Sequence, residues 1–224
     1  MKKKLIFAAL SMVATLATAQ NPYLPLWEHL PDGEPRVFED PDNPGKMRAY
    51  IIGSHDVKFT EYCGNDIRIW SAPVEDLTDW RDEGPVFSHY VNGKWDTMFA
   101  PDLVEVKDKT TGKKTYWLYP HSRGWRRVAM VCKGDRPDGP FTPVNLNADG
   151  TACVDGSLID FDPSVFVENI SNKKDPDYAR GSVHTSSMVS VIPQLTSSTR
   201  TICMQCAPVQ RFTITSFLPP SVME

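Results

Sequence analysis

Arg36 to Gly53 reads RVFEDPDNPGKMRAYIIG. A short apolar run, Arg36 to Phe38, is followed by the turn residues Asp42-Asn43-Pro44-Gly45 and then by the run Met47 to Gly53. Strand, turn, strand is the direct reading, because Asn, Pro and Gly stop a pleated run and supply the tight-turn dihedrals. The same rhythm continues outward through Ile67 to Ala72, Thr115 to Tyr119, Arg127 to Cys132 and Ser164 to Val167. Thr110-Thr111-Gly112 and Asp138-Gly139-Pro140 supply further turns. Few stretches offer ten residues with a helical period. Residues 22 to 180 are therefore expected to be all-β, as a sandwich, a barrel or a propeller.

The whole chain has 224 residues, 41% hydrophobic and 23% charged. That suffices for one sizeable core and not for two large domains, and it excludes disorder throughout, collagen and coiled coil. Met1 to Gln20 has the form of an export signal: Lys2, Lys3 and Lys4, an apolar stretch from Leu5 to Leu16, and Ala17-Thr18-Ala19 before Gln20. The segment 1–19 is expected to be removed on export to the periplasm, cell surface or outside. Its apolar run is too short to span a bilayer and later runs are strand-length, so no transmembrane segment is expected. Net charge is −4, and −7 without the three leader lysines. No basic stripe remains, which argues against nucleic acid and anionic membrane as partners. Five cysteines, Cys63, Cys132, Cys153, Cys203 and Cys206, are too irregular for a disulfide framework. The lone C-x-x-C at Cys203 and Cys206 has no second pair and no histidine cluster, so no metal site is assigned.

Residues 182 to 224 are a different polymer. Ser and Thr make up 14 of these 43 residues, only Arg200, Arg211 and Glu224 are charged, and all 13 glycines of the chain lie earlier. One reading is a Ser/Thr-rich tail. The other is a shifted reading frame: read one nucleotide earlier, Arg200 to Gln210 is compatible with D-N-M-Y-A-V-R-P-G-T-E, which restores Asp, Gly and Tyr together. On this reading 20–181 is the folded unit, 182–224 has no native fold, and the C-x-x-C is an accident.

All six tryptophans and seven tyrosines precede residue 180. Such rings either fill a core or stack on the apolar faces of sugars. Three acids stand beside apolar strands: Glu34 in DGEPRVF, Asp102 in MFAPDLV and Asp162 in IDFDPSVF. Burial there would raise a carboxyl pKa. Paired carboxyl groups are what glycoside hydrolysis requires, one to protonate the leaving oxygen and one to activate water or attack. Gly-Glu-Pro and Asp-Pro also open ordinary turns, so each motif alone decides nothing.

Taken in order, the pieces resemble glycoside hydrolase family 43. Asn21 to Phe38, Tyr50 to Asp56 (YIIGSHD), Trp70 to Val86 (WSAPVEDLTDWRDEGPV), Phe99 to Val104, Val128 to Phe141 and Asp162 to Val167 follow the family's sequence. The resemblance implies a five-bladed β-propeller, of which about three blades are present here. It implies an inverting mechanism on arabinose-, xylose- or galactose-containing plant carbohydrate. Glu34 aligns with the base, which is usually an aspartate in a D-P setting; this chain departs there, and Asp32 is the fallback. Asp162 aligns with the pKa modulator. Asp102, His55 and Asp56 are expected to line or support the substrate pocket. The family's general acid is a glutamate in a later E-G-P-S-like motif, and no such motif occurs here, so the chain as written is expected to be inactive. No cofactor is required; a structural calcium is common in such propellers. A non-catalytic carbohydrate-binding propeller or a decayed enzyme is the rival reading. Sugar specificity and oligomeric state are not readable from the sequence.

Overall fold

The structure is a computed structural model that describes residues 23–57, 62–122, 130–151, 162–175 and 178, with the backbone of 182–187 and 210–212. The leader, Cys153, Cys203, Cys206 and most of the tail lie outside the described residues. No helix is assigned among those described, in agreement with the all-β expectation.

The first sheet is a four-stranded antiparallel meander: β1 (Glu34–Glu39), β2 (Met47–Ser54), β3 (Asp66–Pro73) and β4 (Arg81–Ser88), in that spatial order. The turn at 42–45 does what its residues dictate, with Gly45 at φ 84. A small hairpin of β5 (Tyr90–Val91) and β6 (Lys94–Trp95) follows. The second meander is β7 (Met98–Lys107), β8 (Lys114–Ser122), β9 (Cys132–Gly134) and β10 (Thr142–Pro143). The third has β11 (Pro163–Glu168), β12 (Ser182–Ser187) and β13 (Gln210–Phe212). Part of the segment expected to lack a fold is thus drawn as strand, β12 pairing with β11 from Pro163↔Ser187 to Glu168↔Ser182.

Three successive meanders, each starting with its innermost strand, are the blade repeat of a propeller. The packing supports this. Side chains alternate across a strand, so a sheet covered on both faces needs two cores. β7 and β8 supply them. Leu103, Tyr116 and Leu118 join Phe38, Tyr50, Ile52, Ile67, Ile69 and Phe87 in a core against the first sheet. Val104, Val106, Trp117 and Tyr119 join Val131 and Val165 in a core against the third. Each such side chain contributes about 1.5–3 kcal/mol by leaving water. The middle sheet is therefore a blade between two neighbours, and the chain forms part of a β-propeller.

β4 was not visible in the sequence. It opens with Arg81-Asp82-Glu83-Gly84-Pro85, which shows no alternation, and it pairs with β3 through two register shifts. Those charges and that proline sit on the outer edge of the first sheet, where they block pairing with another chain.

Candidate functional site

The first residues of β1, β7 and β11 lie at one end of the molecule, together with the end of β2 and the start of β3. Backbone bonds stitch this end together. The Asp56 N–H donates to His29 O at 3.0 Å, Gly64 N–H to His55 O at 2.7 Å and Met98 N–H to Gly64 O at 3.0 Å. The Ser54 hydroxyl donates to Pro31 O at 3.3 Å. Two glycines make the approach fit. A Cβ on Gly53 would stand 2.7 Å from Pro31 O, and one on Gly64 2.5 Å from His55 O.

Cys63 lies in the middle of this crossing. It is buried, and its N–H donates a short bond to Asp56 Oδ1. Burial pushes the Cys63 thiol up first; the carboxylates of Asp56, Asp32 and Asp162 push it further, and a hydrogen bond with Ser54 works the other way. Among the described residues four non-glycines have positive φ, and three of them are Asp32 (55°), Cys63 (61°) and Asp162 (45°). A left-handed non-glycine costs of order 1–3 kcal/mol and persists only where surrounding structure enforces it, which is most often a functional site.

Asp162 is held from behind. Its N–H donates to His121 Nδ1 at 3.2 Å. His121 is fully buried near the end of β8. A ring nitrogen that accepts a hydrogen bond carries no proton, so this contact places the His121 proton on Nε2. Glu34 begins β1 opposite Ile52. It shares a strand face with Arg36 and Phe38, the face that packs toward β7.

His55 has a different setting. Its Nδ1 lies 3.1 and 3.2 Å from the Asp66 oxygens, and its Nε2 lies 3.6 Å from Glu28 Oε1. The Glu28 carboxylate is almost wholly buried and accepts the Trp70 indole N–H at 2.7 Å. His55 is therefore engaged by two protein carboxylates, and this ties residues 28–32 to the first sheet.

Asp102 lies deeper, between the innermost strands. Its side chain is fully buried. Oδ1 accepts Arg36 Nη2 at 2.5 Å, Arg36 Nε at 3.1 Å and the Leu103 N–H at 2.6 Å; Oδ2 accepts the Val165 N–H at 2.6 Å. Burial pushes its carboxyl up, while Arg36 and the two N–H groups pull it down without cancelling that rise. One carboxylate so links β1, β7 and β11.

Of the residues expected from the sequence, Asp56 bonds the Cys63 backbone, and Asp32 and Asp162 share its left-handed backbone conformation. Glu34 stands at the same end, His55 braces it and Asp102 lies behind it. Cys63, Glu28, Arg36 and His121 had no signal in their local sequence. Arg36 reads as an outward residue of an alternating strand, and only the neighbouring sheet gives it a partner. Among the described residues no group of three or more His, Cys, Asp or Glu side chains is set to hold a metal ion.

No family model matches the chain. It is 38% identical over 158 residues to a xylosidase/arabinosidase of Thermoclostridium stercorarium, a match covering 66% of this chain and 30% of that protein. The chain thus spans under a third of that relative's length. Solved structures with a similar course include CoXyl43, a family-43 β-xylosidase/α-arabinofuranosidase from a compost metagenome (TM-score 0.46, 20% identity, 75% of this chain and 45% of that one). The GH43_1 enzyme of Xanthomonas citri complexed with xylotriose is another (TM-score 0.47, 19% identity, 80% and 45%). The chain is thus similar over 158 residues to part of a xylosidase/arabinosidase, and glycoside hydrolase family 43 enzymes are among the solved structures with a similar course.

Proposed function

We propose that the protein is an exported glycoside hydrolase acting on arabinose-, xylose- or galactose-containing plant carbohydrate. The observation that supports this best is Asp56 bonded to the N–H of buried Cys63 at one end of the sheets, with Asp32, Cys63 and Asp162 three of the four left-handed non-glycines among the described residues. In an inverting reaction one carboxylate draws the proton from a water on one face of the sugar, while a carboxylic acid protonates the leaving oxygen on the other. Glu34 or Asp32 takes the first role. Asp162 lies beside the reacting ring and keeps the acid protonated by its negative charge, held in place by His121. The proton donor is a glutamate in a later motif that these 224 residues do not contain.

The test has two parts. The 224-residue chain and a form with the reading frame restored beyond residue 181 are assayed on aryl xylosides and arabinosides, and NMR follows the anomer first released. Turnover with inverted product by the restored form alone is expected. Turnover by the 224-residue chain itself would refute the missing-acid reading, and retained stereochemistry would refute inversion. Export is checked by mass analysis of secreted protein, with Gln20 expected as the mature first residue. The second reading is a sugar-binding propeller without turnover. It draws on Glu34 standing where an aspartate is usual, and it predicts sugar binding by the restored form with no hydrolysis.

A further inference from the structure

The hairpin β5–β6 carries two large aromatic residues that no core uses. Tyr90 and Trp95 face each other directly across its two strands. Their ring centroids are 5.0 Å apart in an edge-to-face arrangement, and they are 59% and 57% exposed. Strands of two residues have no stability of their own. Here the tip and the root supply it. Asn92 and Gly93 at the tip both have positive φ, 54° and 77°, as a tight hairpin turn requires. At the root the Asp96 N–H donates to His89 O at 2.8 Å, and the Thr97 N–H donates to Asp96 Oδ1 at 3.0 Å. The His89 ring is buried, with Nδ1 3.4 Å from Asp96 Oδ2 and Nε2 2.9 Å from Gly150 O.

The root also touches the candidate site. Asn65 Nδ2 donates to Asp96 O at 2.9 Å, and Met98 N–H donates to Gly64 O at 3.0 Å. Gly64 and Asn65 immediately follow Cys63 in the chain, so the hairpin is rooted beside the residue whose N–H donates to Asp56 Oδ1. A hairpin pinned at its root that holds two adjacent aromatic rings in water, beside the Cys63–Asp56 contact, leaves contiguous apolar area unburied, as a binding surface does. An aromatic face offers stacking area at little cost in side-chain freedom.

We infer that Tyr90 and Trp95 form a stacking platform for a pyranose ring of an oligosaccharide whose other end reaches the acids. This rests on the carbohydrate reading above and names a second contact for the same substrate. Titration calorimetry of the 224-residue chain with xylohexaose and with xylobiose tests it. Trp95→Ala and Tyr90→Ala are expected to weaken xylohexaose binding roughly three- to tenfold, the range of one aromatic contact, and to leave xylobiose binding unchanged. Trp95→Phe is expected to keep most of the affinity. Near-UV circular dichroism confirms that each variant folds. If folded Trp95→Ala binds xylohexaose as tightly as the parent, the platform is refuted and the carbohydrate reading stands. If Trp95→Ala instead dissociates a dimer without changing sugar affinity, the hairpin is a contact between copies and the platform is refuted. If the parent binds neither sugar the platform is refuted, and if the frame-restored form binds neither as well the carbohydrate reading itself fails.

Discussion

Asp32 and Glu34 lie two positions apart, and their settings separate them. Asp32 is in a left-handed turn next to Pro31, whose carbonyl accepts the Ser54 hydroxyl. Glu34 is a strand residue paired with Ile52. In the frame-restored protein, replacing the base should cost about 10²–10⁴-fold in kcat. Asp32→Asn and Glu34→Gln, assayed on an aryl glycoside, therefore show which residue is the base: the other variant should lose less than tenfold. Gly64 is a second residue-scale test. Its Cβ would meet His55 O at 2.5 Å, so Gly64→Ala must shift backbone. A loss of about 1–3 kcal/mol in urea unfolding is expected, as for other overpacked sites. Asp40 sets a pH dependence. Burial acts to raise its pKa, but hydrogen bonds from Asn43 and the Asp42 N–H, with Arg48 beside it, bring it below the ordinary 3.8. An acid whose folded pKa is lowered stabilises the fold above its unfolded value and loses that contribution as pH falls through the folded one. Unfolding followed from pH 6 to 2 should show stability falling below about pH 4, and Asp40→Asn should flatten that limb.

At the scale of elements, β7 carries the most. Alternate residues feed two cores, and Asp102 joins its strand to β1 and β11. Asp102→Ala would strip the Val165 N–H of its acceptor and take the carboxylate from Arg36, leaving its Nε the Leu103 carbonyl at 3.0 Å. Removing one member of a buried ion pair costs about 3–5 kcal/mol, so the urea midpoint should drop sharply or the fold fail. Asp102→Asn, which keeps an oxygen for the Val165 N–H, should fall between. The strand runs Arg36–Phe38, Met47–Gly53, Ile67–Ala72, Thr115–Tyr119 and Ser164–Val167 were legible in the sequence, and each lies inside an observed strand, whereas of the expected run Arg127–Cys132 Cys132 is in a strand and Met130 and Val131 are not, the rest lying outside the described residues. They read clearly because turn residues bound them. β4 did not, since its charged and proline residues belong to an edge whose pairing is set by β3. The β5–β6 hairpin escaped notice because two-residue strands carry no periodicity.

At the scale of the molecule, the third sheet has a face that the second does not cover. Val165 and Val167 point to the shared core, while Phe166 is 50% exposed on the opposite face. A following blade would normally cover such a face. The 224-residue chain is expected to self-associate with rising concentration in sedimentation velocity, and Phe166→Ser should reduce that association. Monomeric behaviour of the parent up to high concentration would contradict it.

The sequence by itself determined the all-β class, the strand-and-turn rhythm and the acids beside apolar runs. These are local properties, written in period and turn chemistry. Only the tertiary structure decided what each acid touches. Asp56 accepts the Cys63 N–H and the Asp162 N–H rests on His121, 41 residues back in the chain, and nothing in their flanks names those partners. The tertiary fold also decided that Asp102 spans three innermost strands, that His55 is engaged by Glu28 and Asp66, and that His121 backs Asp162. Such pairings arise where separate sheets pack face to face, and the partner of a side chain is then set by the neighbouring blade.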